Sequence, residues 1–405
     1  LGVLYKPYSH LGRHYLSVAV IGFFPLGAHT DRFLSESKQW PHVVASLPPG
    51  QPLDEAMPKQ GAEVLLLGSA HAPERKACTS LTVQLKVDDV AGQPGISKCL
   101  CVCGEREWRS RVLRPPRVGR PKPFLEMPLT YSRAFGGARN PVNPAGCGSR
   151  GLGFGKASGA MPNVSYAPKA VDDAWRANIP AGFGPIPIGS AARRSKFGSY
   201  GRTWRKYDAP GFARDIDWSV FNMAPPDQWT QAPFQGGERY TLRNLHPRHA
   251  ELEGALPSLA ARAFVLNEGA TSEKAREVPL KMDTVWFVPN HDLGIAIYHG
   301  KTEIQDSDGL DIGVLMAGYE HTSAPKSESH YREVMQLRLD HAAVRLRLRV
   351  QFAQCHVAIV RAHDRVPPLR IGLHLHRPAT LQQGMCDRQL QLATRLHPRQ
   401  WRSLI

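Results

Sequence analysis

The sequence predicts a mainly β protein with antiparallel, sandwich-like sheets and a long irregular insertion. Short apolar or alternating runs bounded by turn residues occur toward both ends of the chain. Between them, residues 128–229 contain 14 Gly and 11 Pro, too many for long helices. The same segment contains 14 aromatic residues, whereas disordered linkers are poor in aromatics. We therefore expect this segment to be an ordered arrangement of turns held by buried rings.

The N-terminal part carries four predicted strands. They lie at Tyr15–Phe24, Glu63–His71, Leu81–Val87 and Ser97–Val102. The first is predicted to be a buried strand, the second is apolar enough to be buried on both faces, and the third alternates strictly between apolar and polar residues. Arg114–Pro123 is basic and proline-rich, so we predict a connector that does not sit inside a sheet.

The β pattern returns after the insertion. Pro279–Val288 predicts a strong strand, and Leu293–His299 predicts its partner across a tight turn. Leu259–Leu266 is ambiguous by period, and Glu328–Leu339 is a candidate helix. The predicted regions are an N-terminal β region at 1–113, a signature region at 114–250, a C-terminal β region at 251–340 and an Arg/His-rich tail at 341–405.

The net charge of +16 at first suggests an acidic partner such as nucleic acid. The tail from residue 341 holds 11 Arg, no Lys and two acids, so it supplies +9 and leaves +7 for the other 340 residues. We found no motif that interleaves basic residues with stacking aromatics. A basic nucleic-acid-binding module therefore stays the weakest functional alternative, and nucleic acid is not an expected partner.

The tail itself has two interpretations. Residues 344–350 alternate as a strand would, which fits a genuine basic arm. The abrupt loss of Lys after Asp340 instead fits a shifted reading frame, and we prefer that interpretation.

Cysteine content and hydropathy indicate a cytoplasmic protein without a membrane span. The seven Cys show no disulfide-scaffold pattern, so we expect reduced thiols. No apolar run reaches the roughly 18–20 residues that cross a bilayer. For Tyr15–Phe24 we prefer a buried strand to a signal-peptide core.

Several candidate sites have simpler structural explanations. Cys99, Cys101 and Cys103 share one face of a strand, which favours packing in the core over a zinc knuckle. His246 and His249 are interpreted as surface loop histidines, because Pro247 interrupts any helix that would align them. Residues 151–156 lack the spacing of a phosphate loop. We therefore predict neither a metal nor a cofactor.

Acidic residues offer the main enzymatic alternative. Asp215, Asp217 and Asp227 are candidates for the paired carboxylates of a hydrolase acting on cell-wall or surface polysaccharide. An Asp beside Trp or Pro is more often a turn cap. We therefore predict no catalytic residues and rank the hydrolase second.

The insertion and its flanks carry an ordered series of motifs. They are Cys103–Trp108, Pro128–Gly137, Asn140-Pro141, Gly151–Phe154, Met161–Asn163, Pro180–Pro187, Tyr207, Asp217–Trp229, Leu245–Pro247 and Leu280–Trp286. Together they resemble a family of bacterial accessory proteins of type VI secretion, encoded beside spike-tip (PAAR-type) and toxin effector genes. The resemblance covers roughly residues 10 to 340.

That resemblance implies a non-enzymatic adaptor or chaperone in the cytoplasm. Its partner would be an effector toxin or PAAR-type spike-tip protein, with the spike protein as a further candidate. Rigid, turn-rich loops on a β scaffold are common binding surfaces, and Trp, Tyr and Arg are common interface anchors. The signature positions, assigned as partner-binding or structural, are Arg133, Phe135, Gly136, Gly137, Asn140, Pro141, Asn163, Phe183, Pro185, Trp204, Asn222, Pro225, Pro226, Asp227, Gln228 and Trp229.

Overall fold

The structure is a computed structural model that describes most of the chain. The described residues are 1–28, 30, 32–111, 114–138, 140–148, 160–166, 179–187, 190–343 and 358–361. Residues 151–156 and most of the tail from residue 341 lie outside the described residues. The predictions that residues 151–156 are not a phosphate loop and that the tail comes from a shifted reading frame therefore stay predictions. No helix among the described residues is long and apolar enough to cross a membrane.

The described elements are mostly strands. In chain order they are β1 (Gly2–His10), β2 (Arg13–Pro25), β3 (Ala62–Leu66), β4 (Ser69–His71), β5 (Ser80–Asp88), β6 (Pro94–Cys103), β7 (Trp108–Arg111), β8 (Arg114–Val118), β9 (Glu126–Pro128), β10 (Phe135–Gly136), β11 (Cys147–Gly148), β12 (Val164–Tyr166), β13 (Trp229–Thr230), β14 (Arg239–Arg243), β15 (Glu251–Ala255), β16 (Leu259–Asn267), β17 (Arg276–Val278), β18 (Lys281–Val288), β19 (Leu293–Ile304), β20 (Ile312–His321) and β21 (Ala358–Arg361). The α-helices are α1 (Glu36–Ser46), α2 (Ala191–Arg194), α3 (Arg202–Tyr207) and α4 (Glu328–Ala343). Single 3-10 turns lie at Pro73–Arg75, Tyr131–Arg133, Trp218–Phe221, Pro226–Gln228, Ser272–Lys274 and Pro289–His291.

The strands form three larger sheets. The six-stranded sheet has the order β1-β2-β19-β18-β3-β13, the five-stranded sheet β12-β6-β5-β14-β15, and the four-stranded sheet β17-β16-β20-β21. Pairing in them is antiparallel except between β3 and β18, which run parallel. The predicted fold class is confirmed, with this parallel pair as an unpredicted detail.

All three larger sheets contribute to one apolar core. Val18 and Phe287 come from the six-stranded sheet, Leu85 and Leu100 from the five-stranded sheet, and Leu315 from the four-stranded sheet. This shared core gives the sandwich-like packing, because each sheet buries one apolar face.

The six-stranded sheet is buried on its second face as well. Ile21, Trp286 and Ile295 pack there against Val43 of α1 and Met223 of the signature region. Burial on both faces explains why residues 16–24 of β2, 64–66 of β3 and 293–298 of β19 are largely apolar rather than alternating, and the sequence predicted this burial for β3.

Most sequence-predicted elements are observed. The predicted hairpin is β18–β19, the ambiguous run is β16, and the candidate helix is α4. The predicted absence of long helices holds for the described part of residues 128–229, where α2 has 4 residues and α3 has 6.

Two predictions of secondary structure are wrong. Glu63–His71 is not one strand, because it is divided between β3 in the six-stranded sheet and β4, which pairs with β9. Arg114–Val118 is not only a connector, because it forms β8 and pairs with β7 in a two-stranded ribbon. Pro115 and Pro116 lie where the register shifts, between the pairs Arg109–Arg117 and Arg111–Arg114, and such an irregularity tolerates residues that cannot donate to the ladder.

Sheet pairing crosses the predicted region boundaries. The six-stranded sheet joins strands from residues 2–66 and 281–304. Among the described tail residues, Ala358–Arg361 pair with β20. The four regions therefore differ in amino-acid composition and pattern, and their boundaries as domains stay predictions.

Candidate functional site

Lys98 lies at the centre of a buried polar junction. It occupies the core-facing phase of β6, between Ile96 and Leu100, so its ammonium group points into the molecule. The Nζ atom donates to Gly182 O at 2.6 Å, to Asp227 Oδ1 at 2.9 Å and to Gln228 Oε1 at 2.8 Å. These contacts join the five-stranded sheet to two separate signature motifs.

Gln228 extends this Lys98 junction to the six-stranded sheet. Its Nε2 donates to Val64 O at 2.6 Å and to Phe183 O at 3.0 Å. Leu66 N donates to the same Phe183 carbonyl at 3.1 Å. Gln228 is fully buried, so each hydrogen bond of its side-chain amide replaces one that the amide would otherwise make with water. The side chain thus fixes two irregular segments onto β3.

The electrostatics of the Lys98 junction weaken the affinity of the lysine for its proton. Burial lowers the pKa of Lys98 to about 8, and the carboxylate of Asp227 opposes this shift. The side chain of Lys98 is 2% exposed and that of Asp227 is 38% exposed. Tyr166 OH donates to Asp227 Oδ2 at 3.0 Å. Rings of Tyr166 and Phe183 lie 5.3 and 5.6 Å from Lys98 Nζ and give cation–π stabilisation.

A second buried lysine, Lys59, forms an ionic cluster with acids from β3 and the preceding loop. Its Nζ contacts Asp54 Oδ2 at 2.8 Å and Glu63 Oε1 at 2.7 Å. It also donates to Thr284 Oγ1 at 2.8 Å. The side chains of Lys59, Asp54 and Glu63 are at most 1% exposed.

His299 completes this Lys59 cluster from β19. Its Nε2 lies 2.8 Å from Asp54 Oδ1, and its Nδ1 lies 2.5 Å from Asp283 Oδ1. Burial opposes protonation, yet Asp283 and Asp54 raise the pKa of His299 to about 9. A carboxylate on each side makes the imidazolium, with two donors, the form that satisfies both acids.

Burial acts on the other members of the Lys59 cluster in different directions. It lowers the pKa of Lys59, but Asp54 and Glu63 outweigh it and leave that pKa above its usual value. It raises the pKa of Asp54, but His299 and Lys59 bring the net shift below the usual value. For Glu63, burial outweighs Lys59 and raises the pKa.

One signature motif connects the two lysines. In the middle of Asp217–Trp229, Asn222 pairs with the backbone of Gln60 through both side-chain atoms at 3.1 Å, and Ala224 N donates to Glu63 Oε2 at 2.8 Å. Near its end, Asp227 and Gln228 belong to the Lys98 junction. The motif is therefore anchored at two places by polar contacts.

The prolines and aromatics of this motif shape its turn. Pro225 is buried and Pro226 exposed, and Pro225 O accepts from Gln228 N at 2.9 Å. Trp229 Nε1 donates to Ala224 O at 2.8 Å, and Lys196 Nζ lies 4.8 Å from the Trp229 ring.

Upstream signature residues form a separate brace around the end of β6. Asn163 is buried; it donates through Nδ2 to Cys103 O at 3.0 Å and accepts from Arg133 Nη1 at 3.1 Å. Glu105 lies 3.9 Å from Arg133. Phe135 is buried beside this brace.

The adjoining loop is organised by Asn143, which the sequence did not single out. Its Nδ2 donates to Tyr131 O at 2.8 Å and to Phe135 O at 2.9 Å. Asn140 Oδ1 accepts from Val142 N at 2.9 Å. A Cβ at Gly136 would lie 2.2 Å from Asn143 O, so a glycine is needed there.

The remaining signature positions are dispersed. Gly137 has a φ of 139° and donates its N–H to Asn143 O at 2.9 Å. Pro141 O accepts from Ala191 N at 3.4 Å, and Pro185 is buried. Trp204 lies in α3, away from the lysines, and its Nε1 donates to Gly211 O at 2.7 Å.

The three candidate carboxylates have different partners. Asp215 accepts from Ser199 N and Oγ at 2.9 and 2.7 Å, Asp217 accepts from Ser219 N at 2.9 Å, and Asp227 belongs to the Lys98 junction. Asp217 acts as the turn cap that the sequence indicated for an Asp beside Trp. No hydrogen bond joins any two of the three in the described chain.

The histidine prediction needs correction. His246 is buried, and its Nε2 lies 2.7 Å from Asp292 Oδ1, which Arg248 also contacts. Burial lowers the pKa of His246 despite Asp292. Only His249 is exposed as predicted. The described residues include no group of three or more His, Cys, Asp or Glu placed to hold a metal ion.

The cysteines share one face of β6 as predicted, but it is the face opposite Leu100. Cys103 is buried, whereas Cys99 and Cys101 are half-buried, so only one of them packs as an inner residue. The Sγ atoms of Cys101 and Cys103 lie 3.9 Å apart. The Cys101 thiol and Arg106 lower the pKa of Cys103 to about 6 against the effect of burial.

Sequence reasoning missed the two lysines that organise the site. A signal for Lys98 was present, because it falls in phase with Ile96 and Leu100 on the apolar face of its strand. The Lys59 cluster offered no such signal, because Asp54 and His299 are 245 residues apart.

The fold and site define a class: a mainly β protein whose irregular signature loops are fixed to its sheets by buried lysines. The chain belongs to the bacterial family described as "Uncharacterized protein conserved in bacteria (DUF2169)", whose model matches residues 11–299. No curated protein and no solved structure matches the chain.

Proposed function

We propose that this protein is a non-enzymatic adaptor or chaperone of type VI secretion. It would bind an effector toxin or its PAAR-type spike-tip domain in the cytoplasm and help load it onto the secretion spike. The observation that carries the proposal is the anchoring of the Asp217–Trp229 motif between the Lys59 cluster and the Lys98 junction. Loops fixed in this way lose little conformational entropy when a partner binds.

Internal hydrogen bonding supports a recognition role over a catalytic one. The side-chain nitrogens of Gln228, Asn163 and Asn222 each donate to a backbone carbonyl of the chain, which favours a structural role for these side chains. Asp227 is tied to Lys98 and Tyr166 rather than to a second acid. Glycoside hydrolysis of the usual kind needs two carboxyl groups facing one bond.

Co-expression with the spike-tip protein and the effector from the same gene cluster tests the proposal. We expect a complex that co-purifies at low salt, and we expect gene deletion to abolish secretion of that effector. Lys98→Met should weaken complementation, because it loosens the signature loops, whereas Lys86→Met on the neighbouring strand should complement fully. Lys86 is a matched control because it lies on the neighbouring strand and its side chain is 36% exposed, against 2% for Lys98. If neither partner co-purifies and secretion survives deletion, the proposal is wrong.

A further inference from the structure

Residues 190–217 form a basic lobe between two signature motifs. The lobe contains seven Lys or Arg and three Asp, a net charge of +4. Arg193 points inward and pairs with Glu55 at 2.9 Å. The exposed cations include Arg194, Arg202 and Arg205. Positive charge is thus concentrated on the outer surface of the lobe.

The acids of the basic lobe do not neutralise these exposed cations. Asp208 is bound to Arg214 Nε at 2.9 Å, and its own side chain is only 4% exposed. Asp215 is occupied by Ser199, and Asp217 caps Ser219. No described carboxylate lies within ion-pair distance of Arg202 or Arg205.

Helix α3 concentrates like charges on a short helix. Arg202 and Arg205 are three residues apart, and Arg202 and Lys206 are four apart, so each pair faces the same side. Such like-charge pairs destabilise a helix by about 0.2–0.5 kcal/mol each. Arg202 also stands in the first turn, where a cation opposes the helix dipole. Local folding therefore gives no reason for this arrangement.

An exposed aromatic ring accompanies the cations. Tyr207, at the end of α3, is 59% exposed, and Lys206 Nζ lies 4.7 Å from its ring centroid. Tyr and Arg are the residue types enriched in protein interfaces. The outer face of α3 therefore has the composition of an interface rather than that of an ordinary solvated surface.

The base of the basic lobe is rigidly supported. Trp204 packs on Tyr200 with ring centroids 4.9 Å apart and donates to Gly211 O. Phe212 packs against Tyr8 and Trp218 at 5.9 and 5.6 Å. Rings from β1 and from the Asp217–Trp229 motif thus hold the lobe in place, so its cations are presented in advance of binding.

We propose that the basic lobe docks an acidic segment of the carried protein, an inference that rests on the proposed adaptor function. Arg202 and Arg205 would form charge-assisted hydrogen bonds with carboxylates, and Tyr207 would pack on the segment. A nucleic acid fits less well, because single strands stack successive bases on several exposed rings. Here Trp204 and Trp218 are half-buried in the base, which leaves Tyr207 as the well-exposed ring.

The test compares two triple variants that remove the same charge. The lobe variant is Arg202→Glu, Arg205→Glu and Lys206→Glu. The control is Lys38→Glu, Arg239→Glu and Lys274→Glu, three exposed cations on other elements. Affinities are measured at low and at 0.15 M salt for the spike-tip protein, the effector, poly-L-glutamate and a single-stranded RNA 20-mer. Circular dichroism and the unfolding midpoint show whether each variant is folded.

We expect the lobe variant to lose about tenfold or more in affinity for the partner and for poly-L-glutamate, mostly through slower association, while the control stays within about twofold. The affinity of a neutral triple variant (Arg202→Gln, Arg205→Gln and Lys206→Gln) should fall between those of the other two. Salt should weaken wild-type binding more than binding by the lobe variant.

The outcomes separate this inference from the proposed function. If wild-type protein binds neither secretion partner, the adaptor proposal fails, and poly-L-glutamate binding still decides whether the lobe holds acidic chains. If partner binding survives in the lobe variant as in the control, the docking inference is wrong. Tighter lobe-dependent binding of the RNA than of poly-L-glutamate would also overturn it and favour nucleic acid.

Discussion

Lys59 and Lys98 are both buried, and both anchor the same signature motif, yet their surroundings differ. Lys59 contacts Asp54 and Glu63, and the protonated His299 contacts Asp54 and Asp283, so each buried cation has two carboxylates beside it. Lys98 has one carboxylate, which is partly open to water, and otherwise neutral oxygen acceptors. The first site is a buried ionic cluster closed to water, whereas the second is a cation with too little negative charge beside it and with its one carboxylate partly exposed.

The difference shows in the pKa values. Surplus carboxylate raises the pKa of His299 to about 9 in the Lys59 cluster. Burial without sufficient opposite charge lowers the pKa of Lys98 to about 8. Burial by itself therefore does not predict whether a cation gains or loses affinity for its proton, because the count of nearby carboxylates decides the sign.

Removing Lys59 should have the largest effect. Lys59→Met would leave the buried Glu63 without a cation and Asp54 with His299 alone, and breaking a buried pair in this way typically costs about 3–5 kcal/mol. Urea unfolding should show this loss against wild type. Lys122→Met is the control, because Lys122 is 71% exposed in a loose pair with Glu105, and it should change stability by less than about 1 kcal/mol. Equal stability of the two variants would contradict the claim that Lys59 stabilises the fold by pairing with buried carboxylates.

Raising the pH should weaken the Lys59 cluster through His299. Its folded-state pKa of about 9 exceeds the ordinary value of 6.5, so its contribution is complete below pH 6.5 and is lost as the pH rises through 9. The full shift corresponds to roughly 3 kcal/mol. The difference in unfolding free energy between wild type and His299→Gln, measured from pH 6 to 9.5, should shrink over that interval.

Raising the pH should have the opposite effect on stability through Lys98. Its folded-state pKa of about 8 lies below the ordinary 10.5, so between these values the unfolded chain binds more protons and wild type gains stability as the pH rises. The difference between wild type and Lys98→Met should therefore shift in favour of wild type from pH 8 to 10.5. If the wild type–His299→Gln and wild type–Lys98→Met differences changed with pH in the same direction, the contrast between the Lys59 cluster and the Lys98 junction would be wrong.

Removing Lys98 at neutral pH should cost less than removing Lys59. Lys98→Met leaves Gly182 O and Gln228 Oε1 without their donor, a loss of about 1–3 kcal/mol, while Asp227 can rehydrate. Unfolding in urea measures the loss, with Lys86→Met as the near-neutral control. A loss of stability equal to that of Lys59→Met would mean that water does not hydrate the Asp227 carboxylate when Lys98 is removed.

The smallest expected effect is that of Tyr166→Phe. It removes one hydrogen bond to Asp227 at the exposed edge of the Lys98 junction and should cost about 0.5–1.5 kcal/mol. The unfolding midpoint checks this value. A loss above that of Lys98→Met would place Tyr166, rather than the lysine, at the centre of the junction.

Local patterns in the sequence predicted the strands but only part of the site. The alternation in β5 and the apolar run in β2 depend on near neighbours, so they could be interpreted correctly. His246 was misassigned because Asp292, its partner, is 46 residues away. Likewise, the charges that surround Lys59 come from distant segments whose meeting depends on sheet order. In the basic lobe, the sequence alone does not show that Arg202 and Arg205 face outward while Trp204 packs into the base.

The pairing of β2 with β19 also constrains how the chain is synthesised. Residues 14–25 pair with residues 293–304, so β2 has no partner on that side until nearly 280 further residues have been made. At about 5–20 residues per second, this interval is roughly 15–60 s on the ribosome. During it, the apolar β1–β2 hairpin is exposed with an unpaired edge, which is prone to aggregation. A protein proposed to assist the loading of others would thus itself depend on protection while it is being made.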